Sequence, residues 1–260
     1  MKLCFSTLGC SDRALDQILT LAFKYNISAL EIRGIGGILD NAKIIEFSPE
    51  KLKSTADEFE KFGVNPTVLG TSCSFHNHEK YEGALKEGRA AVKIAEELNI
   101  PYIRVFGDRL TEGSTERIIN GLSTLCNLSD RVNILLEVHG DYNTSDSLSP
   151  IVENMKNTKN FGLIWDIEHT HKPYGNRWEE FYSAFRPYIK HVHVKDFSDK
   201  SASLCLTGDG DIPIQPIAER LLSDGYEGYF SLEWEKKWHP ELPELEEALD
   251  RFIEVMNGVD

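Results

Sequence analysis

Four side chains that could act together as metal ligands or acid–base groups close short apolar runs in the second half of the sequence. They are two glutamates, one aspartate and one histidine: Glu137, Asp166, His193 and Glu233. Their separations of 29, 27 and 40 residues are close to one strand-plus-helix unit each, with a longer loop before the last. If the runs are neighbouring strands, the four side chains lie at similar heights around one rim and can converge.

The chemistry of this set favours a bound cation. A buried carboxylate without a partner costs several kcal/mol, and three around one opening repel one another. Any one of the four alone is better explained by an ion pair with a nearby lysine or arginine, whereas four together favour a shared metal. Three carboxylates and one imidazole suit Mn²⁺, Mg²⁺ or Co²⁺, with zinc or iron as alternatives. We therefore predict one divalent metal ion.

Short β-rich segments alternate with longer amphipathic segments along the whole chain. The predicted strands are residues 3–6, 29–32, 66–69, 102–106, 132–138, 161–165, 189–194 and 229–233, and the predicted helices are residues 14–25, 49–62, 81–98, 115–128, 148–155, 214–222 and 245–256. The repeat implies eight units, although no helix is delimited between the sixth and seventh strands. Such alternation predicts the α/β class and one (β/α)8 TIM barrel, a single domain spanning residues 1–260.

The barrel assignment also predicts where catalytic groups lie, because such barrels carry them at the C-terminal ends of their strands. An open, dinucleotide-binding sheet is disfavoured, since no GxGxxG motif follows the first strand. Residues 34–37, which are rich in glycine, are interpreted as a loop after the second strand.

The two-residue period of a strand places further polar groups on the same face as the four. His139 shares the face of Glu137, whereas His191 and Lys195 share the face of His193. We expect His139 and Lys195 to hold substrate oxygens. His191 lies deeper in the strand and is interpreted as a structural partner.

Composition narrows the range of partners. The chain has 42 acidic and 28 basic residues, a formal net charge of −14, which disfavours nucleic acid and anionic membrane surfaces. Five scattered cysteines without a CxxC pair indicate reduced thiols. With neither a signal-peptide pattern nor a long apolar stretch, we expect a cytoplasmic protein. A homo-oligomer is left open.

Several motifs together resemble those of the xylose-isomerase-like barrels, in particular the sugar phosphate isomerase/epimerase family with its ketose 3-epimerases and inosose dehydratases. The resemblance covers nearly the whole chain. Its strongest parts are LEVHG at 136–140, WDIEH at 165–169, HVHVKD at 191–196, GDGDI at 208–212 and SLEWE at 231–235.

The resemblance implies roles for individual residues. Glu137, Asp166, His193 and Glu233 match the family's metal ligands, and His169 matches a substrate contact. Glu31 and His76 fall roughly where other members place additional polar groups that touch substrate. The segment around His76 could equally be a helix-capping loop.

The function expected from these features is a metal-dependent sugar or sugar phosphate isomerase or epimerase. Glu137 and Glu233 would move a proton next to a carbonyl through an enediolate. The alternative is a dehydratase of an inosose-like substrate, in which the same proton loss is followed by loss of water. An abasic-site endonuclease is less favoured, because residues 206–213 lack the histidine such enzymes need, and a non-catalytic sugar-binding barrel also stays open.

Overall fold

The eight predicted strands form a closed parallel barrel in the computed structural model, which describes residues 1–259. The fold class is therefore confirmed as a (β/α)8 TIM barrel. The order around the barrel is β1-β10-β7-β6-β5-β4-β3-β2, and β8 and β9 form a separate hairpin. The strands are β1 Lys2–Ser6, β2 Ala29–Ile32, β3 Asn65–Ser74, β4 Tyr102–Phe106, β5 Asn133–Glu137, β6 Phe161–Asp166, β7 Ile189–Val194, β8 Asp196–Ser198, β9 Ser203–Cys205 and β10 Tyr229–Leu232.

Helices cover the outside of the barrel. They are α1 Leu15–Lys24, α2 Leu52–Phe62, α3 Tyr81–Glu97, α4 Ser114–Cys126, α5 Ser145–Met155, α6 Ile167–Tyr174, α7 Trp178–Phe185, α8 Ile214–Ser223 and α9 Leu245–Asn257. Short 3-10 turns occupy Thr7–Cys10, Asn41–Lys43, Ile45–Phe47, Gly175–Arg177 and Arg186–Tyr188. Most bounds agree with the predicted ones within a few residues, except that β3 continues five residues further, to Ser74.

The segment between β6 and β7, where no helix is predicted, contains both α6 and α7. Pro173 in the last turn of α6 and Gly175 directly after it, which has a φ of 51°, interrupt the apolar pattern. The second helix nevertheless carries a clear signal, because Trp178, Phe181, Tyr182 and Phe185 recur at helical spacing and are buried.

Alternate residues of each strand face two different environments. In β5, Ile134 and Leu136 join the large core that includes residues of the helices. Leu135 joins Val68 and Ile164 in a second cluster made of strand residues, which lies inside the barrel. Because side chains alternate along a strand, groups two residues further on, at positions 137 and 166, also point to the interior.

The cysteines agree with what the sequence predicts. All five cysteines are free, and four of them are buried. Among the helices of residues 1–259, none is long and apolar enough to cross a membrane.

The hairpin at the C-terminal end of β7 is tied down by one carboxylate. Asp196 is 1% exposed and accepts backbone N–H groups of Phe197, Gly208, Gly210 and Ile212 at 2.8 to 3.3 Å. Gly210 packs so closely that a Cβ there would overlap the Asp196 carboxylate. One side chain thereby fixes both the hairpin and the turn that follows it.

We expect Asp196→Ala to lower the free energy of unfolding by about 2–4 kcal/mol, because it leaves buried N–H donors without an acceptor. Asp196→Asn keeps one acceptor oxygen and should lose roughly half as much. Urea unfolding followed by circular dichroism measures both. Wild-type stability of the alanine variant would show that the carboxylate does not hold this turn.

Candidate metal centre

Glu137, Asp166, His193 and Glu233 converge at the C-terminal end of the barrel. One ligand atom from each lies within 4.8 Å of those of the other three. His193 Nδ1 is 3.4 Å from Glu233 Oε2 and 3.9 Å from both Glu137 Oε2 and Asp166 Oδ2. All four are at least 97% buried. The register explains the convergence, because Asp166 pairs with His193 across β6 and β7, and His193 pairs with Ser231 across β7 and β10.

Asp166 divides its two oxygens between local structure and the cluster. Oδ1 accepts the backbone N–H groups of Glu168 and His169 and so caps the N-terminus of α6. Oδ2 faces the other three residues of the cluster. Capping also places the His169 imidazole nearby, with Nε2 4.0 Å from Asp166 Oδ2.

His193 is oriented by Glu31 on the opposite side of its ring. His193 Nε2 lies 2.8 Å from Glu31 Oε2, and His191 Nε2 lies 3.2 Å from the same oxygen. When Nε2–H donates to Glu31, Nδ1 is directed at the cluster, as in the carboxylate–histidine pairs that orient metal ligands. His191 is fully buried in this contact.

Two buried cations compensate the carboxylates. Arg104 Nη1 lies 2.8 Å from Glu137 Oε2 and 3.5 Å from Glu233 Oε1. Lys195 Nζ lies 2.8 Å from Glu233 Oε2 and 2.9 Å from Asp166 Oδ2, and it also contacts Glu235. The ammonium of Lys195 therefore pairs with carboxylates of the cluster, whereas the sequence predicts that it holds substrate oxygens.

The close charges shift several ionisation equilibria. Burial, only partly opposed by Lys195, raises the pKa of Asp166 to about 8. Burial opposes charge on His193, but Glu233 and Glu31 outweigh it and raise the pKa of the imidazole well above its usual value. Burial likewise opposes ionisation of Glu233, whereas His193 and Lys195 hold its pKa well below the usual range. Without a cation, the cluster therefore favours a charged histidine and an ionised Glu233.

The residues fit a divalent cation. Within the cluster, His193 Nδ1 and Asp166 Oδ2 have no hydrogen-bond partner among residues 1–259, although both are buried. Lys195 lies near Asp166 Oδ2 at ion-pair distance but without hydrogen-bond geometry. A cation bound to these two atoms and the two glutamates would satisfy both, and it would displace the Nδ1 proton of His193.

Two imidazoles form one wall above the cluster. His139 and His169 have ring centroids 4.2 Å apart, and Phe106 packs against His139. Burial, and then the charge of Lys195, lowers the pKa of His169. His169 is therefore neutral at neutral pH and can donate one hydrogen bond to a ligand.

A cleft with two lobes opens on this wall. The arginine lobe, about 310 Å³, is lined in part by Arg33, Arg104, Ser72, Ser74, Asp108 and Trp238. The hairpin lobe, about 710 Å³, is lined in part by His169, Lys172, Phe197, Leu204 and Leu242. His139 and Glu235 line both lobes, and Glu137 and Glu233 line the arginine lobe, so the lobes meet beside these two candidate ligands.

The structure places the remaining predicted site residues differently. Glu31 is fully buried against the two histidines of β7, so it does not reach the cleft. His76 lies outside the cluster: its Nδ1 is 2.7 Å from Ser74 Oγ and 3.6 Å from an Asp108 carboxylate oxygen. Asn77 next to it accepts N–H groups at the start of α3, as in a capping loop.

Arg104 and Arg33 are the polar groups that the sequence analysis missed. Arg104 interrupts the apolar strand β4, and Arg33 directly follows β2, two residues after Glu31. The two-residue period that places His139 beside Glu137 also places both arginines in the barrel interior. A charged residue at an inward position of an apolar strand is the signal that could have identified them.

Comparison with protein families agrees with this architecture. A family model described as xylose isomerase-like TIM barrel matches residues 20–255. The chain belongs to this family. Among curated protein sequences, none matches this xylose isomerase-like barrel.

Solved structures share its fold. The probable 3-DHS dehydratase AsbF of Bacillus anthracis superposes with a TM-score of 0.82 at 14% identity, over 100% of both chains. A D-tagatose 3-epimerase-like protein gives 0.74 at 22% identity, over 98% of this chain and 100% of the other. A xylose isomerase-like TIM barrel protein from Mycobacterium smegmatis in complex with magnesium gives 0.65 at 14% identity, over 89% of each chain. At these identities the likeness concerns the fold.

We expect Arg104→Met to lower the free energy of unfolding by about 3–5 kcal/mol in EDTA, because two buried carboxylates lose their counter-charge. Added Mn²⁺ should reduce the deficit, since a cation at the cluster neutralises the same carboxylates. Arg104→Lys keeps the charge and serves as the matched control, and it should lose less free energy of unfolding than Arg104→Met. Urea unfolding with and without Mn²⁺ measures all three proteins. Equal stability of the methionine and lysine variants would contradict a role for the charge.

Proposed function

We propose that this barrel is a divalent-metal-dependent isomerase or epimerase that acts on a sugar or sugar phosphate by proton transfer next to a carbonyl. The observation that carries the proposal is the buried set of Glu137, Asp166, His193 and Glu233, whose two glutamates line the cleft. Mn²⁺, Mg²⁺ or Co²⁺ suits a donor set of three carboxylates and one imidazole. When bound, the ion would supply positive charge that stabilises an enediolate.

Glu137 and Glu233 are the acid–base candidates. Both carboxylates are held in place by Arg104, and Glu233 is also held by Lys195. Because Glu233 ionises readily in this environment, it can accept a proton from a substrate carbon. The partner glutamate would return one, to the opposite face for epimerisation or to the adjacent carbon for isomerisation.

His169 is the candidate for the oxygen that gains charge. It lies between the cluster and the hairpin lobe, and its neutral imidazole can donate a hydrogen bond without neutralising the glutamates. The neighbouring His139 ring, tilted by 57° to that of His169, restricts the orientation of the His169 ring. A donor held in place before the reaction is more effective at stabilising developing negative charge.

Dehydration is a second candidate, and Lys195 is the observation that favours it. Its ammonium group lies 2.8 Å from Glu233 Oε2, beside the group that would remove the proton. An ammonium at that position could protonate a leaving hydroxyl on the neighbouring carbon. The name of the Bacillus anthracis neighbour, a probable dehydratase, is consistent with this alternative. Product mass distinguishes the two, since only dehydration removes 18 Da.

We expect the Mn²⁺-loaded protein to incorporate deuterium into a ketose in deuterated water. Glu137→Gln should lower this exchange about 10²- to 10⁴-fold, because the amide cannot take or return the proton. Nuclear magnetic resonance of the recovered sugar shows the exchanged carbon. A panel of ketoses, their phosphates and inososes covers the substrate classes considered.

Glu227→Gln is the matched control, since Glu227 is exposed at the opposite end of the barrel. It should exchange at the wild-type rate. Turnover without metal-dependent incorporation of deuterium would contradict proton abstraction. Full activity of Glu137→Gln would remove Glu137 from the acid–base pair.

A further inference from the structure

We propose that Arg33 binds an oxyanion of the substrate, a carboxylate or a phosphate, in the arginine lobe of the cleft. The inference rests on the proposed function, because it assigns one end of a substrate whose reacting carbon lies at the four candidate ligands. It narrows the substrate class to sugars that carry a negative charge away from the reacting carbons.

Arg33 is a buried cation that lines the cleft. Its side chain extends from the C-terminal end of β2 and is 7% exposed. Nη1 donates to the carbonyl of Leu39 at 3.1 Å, and Nη2 donates to Ser72 Oγ at 2.9 Å. A guanidinium has five N–H donors, so these two contacts leave others for a ligand.

The guanidinium of Arg33 forms no direct ion pair. No carboxylate of residues 1–259 lies within ion-pair distance of it. In contrast, the acids that line the same lobe each have a basic neighbour: Glu137 and Glu233 contact Arg104, Glu235 contacts Lys195, and Asp108 lies beside His76. Arg33 therefore lacks a direct ion pair, because Glu87, Glu233 and Glu137 act on its charge only from beyond ion-pair distance, and a buried charge is normally paired directly.

A second guanidinium lies beside that of Arg33. Arg33 and Arg104 lie side by side over the backbone of Gly70, where an added Cβ would come within 2.8 Å of Arg33 Cδ and 3.2 Å of Arg104 Nη2. Burial, and then the like charge of Arg104, lowers the pKa of Arg33 to about 10. A bound anion would stabilise the charged guanidinium and so offset both the burial and the repulsion by Arg104.

Hydroxyl groups complete the binding surface. Ser72 and Ser74 line the lobe beside Arg33, and the Ser72 hydroxyl accepts from Arg33, which leaves its proton free to donate. Trp238 is 55% exposed and lies at the mouth of the lobe. The lobe thus offers donors at its inner end and an aromatic face at its mouth, as a sugar with a terminal oxyanion requires.

The neighbouring glycine loop does not provide this recognition by itself. The amides of Gly36 and Gly37 donate to the carbonyls of Arg13 and Ser11, and the amide of Ile35 donates to Ile38. These bonds hold the loop in place behind Arg33. An anion in the lobe therefore depends on side chains, which makes substitution of Arg33 a direct test.

The first experiment measures binding without relying on catalysis. Inorganic phosphate and glycolate are titrated into the full-length protein by calorimetry, first with Mg²⁺ and then with EDTA, which separates coordination by a cation from binding by Arg33. Arg33→Met should weaken binding of the preferred anion at least about tenfold. Arg33→Lys, which keeps the charge, should lie between the wild type and the methionine variant.

Arg131→Met is the matched control, because Arg131 precedes β5 at the other end of the barrel and its side chain is 68% exposed. It removes the same charge and should bind both anions as the wild type does. A preference for phosphate assigns a phosphate ester, and a preference for glycolate assigns a carboxylate. Equal affinity of Arg33→Met and Arg131→Met, or no binding by the wild type, overturns the proposal.

The second experiment connects the anion site to the reaction. In the deuterium-exchange assay, a phosphorylated or carboxylated ketose should have a KM at least about tenfold below that of its neutral counterpart. Arg33→Met should remove this difference through KM more than through kcat. If Arg33→Met lowers kcat/KM by the same factor for neutral and anionic sugars, Arg33 has a structural role and the proposal is contradicted. If no ketose exchanges, the proposed function fails, whereas the phosphate titration still decides the anion site.

Discussion

Burial of several carboxylates in one place is the constraint on which the C-terminal end of this barrel depends. Glu31, Glu137, Asp166 and Glu233 are all at least 97% buried, and their mutual repulsion would be severe in a low-dielectric interior. Arg104, Lys195 and a charged His193 compensate part of it. A divalent cation would complete the compensation and would explain why His193 Nδ1 and Asp166 Oδ2 have no hydrogen-bond partner.

Local structure prepares this arrangement in a few steps. Asp166 caps α6 with one oxygen and directs the other to the cluster. This one residue therefore ends β6, begins α6 and is a candidate ligand. Glu31 orients His193 from below, and Arg104 spans the two glutamates. The four residues have different candidate roles. Asp166 and His193 are candidate metal ligands only, whereas Glu137 and Glu233 are candidates for both metal coordination and proton transfer.

The sequence predicts the barrel, its strands and the convergence of the four residues, because these follow from the alternation of side chains and from the regular spacing of strand ends. It does not predict that Lys195 pairs with Asp166 and Glu233, since the length and direction of a flexible side chain depend on neighbours distant in sequence. Arg104 and Arg33 were predictable from inward positions next to apolar strands. The break between α6 and α7 hid a helix whose own pattern is regular.

One divalent cation is expected to bind to Glu137, Asp166, His193 and Glu233. Anomalous diffraction from a crystal of the full chain grown with Mn²⁺ tests it most directly. A single strong peak is expected at coordination distance from Asp166 Oδ2, His193 Nδ1 and the two glutamates, with the Lys195 ammonium displaced towards Glu235. A crystal with saturating Mn²⁺ and no peak at these residues, or a peak at Glu31, His191 and His193 instead, would contradict it.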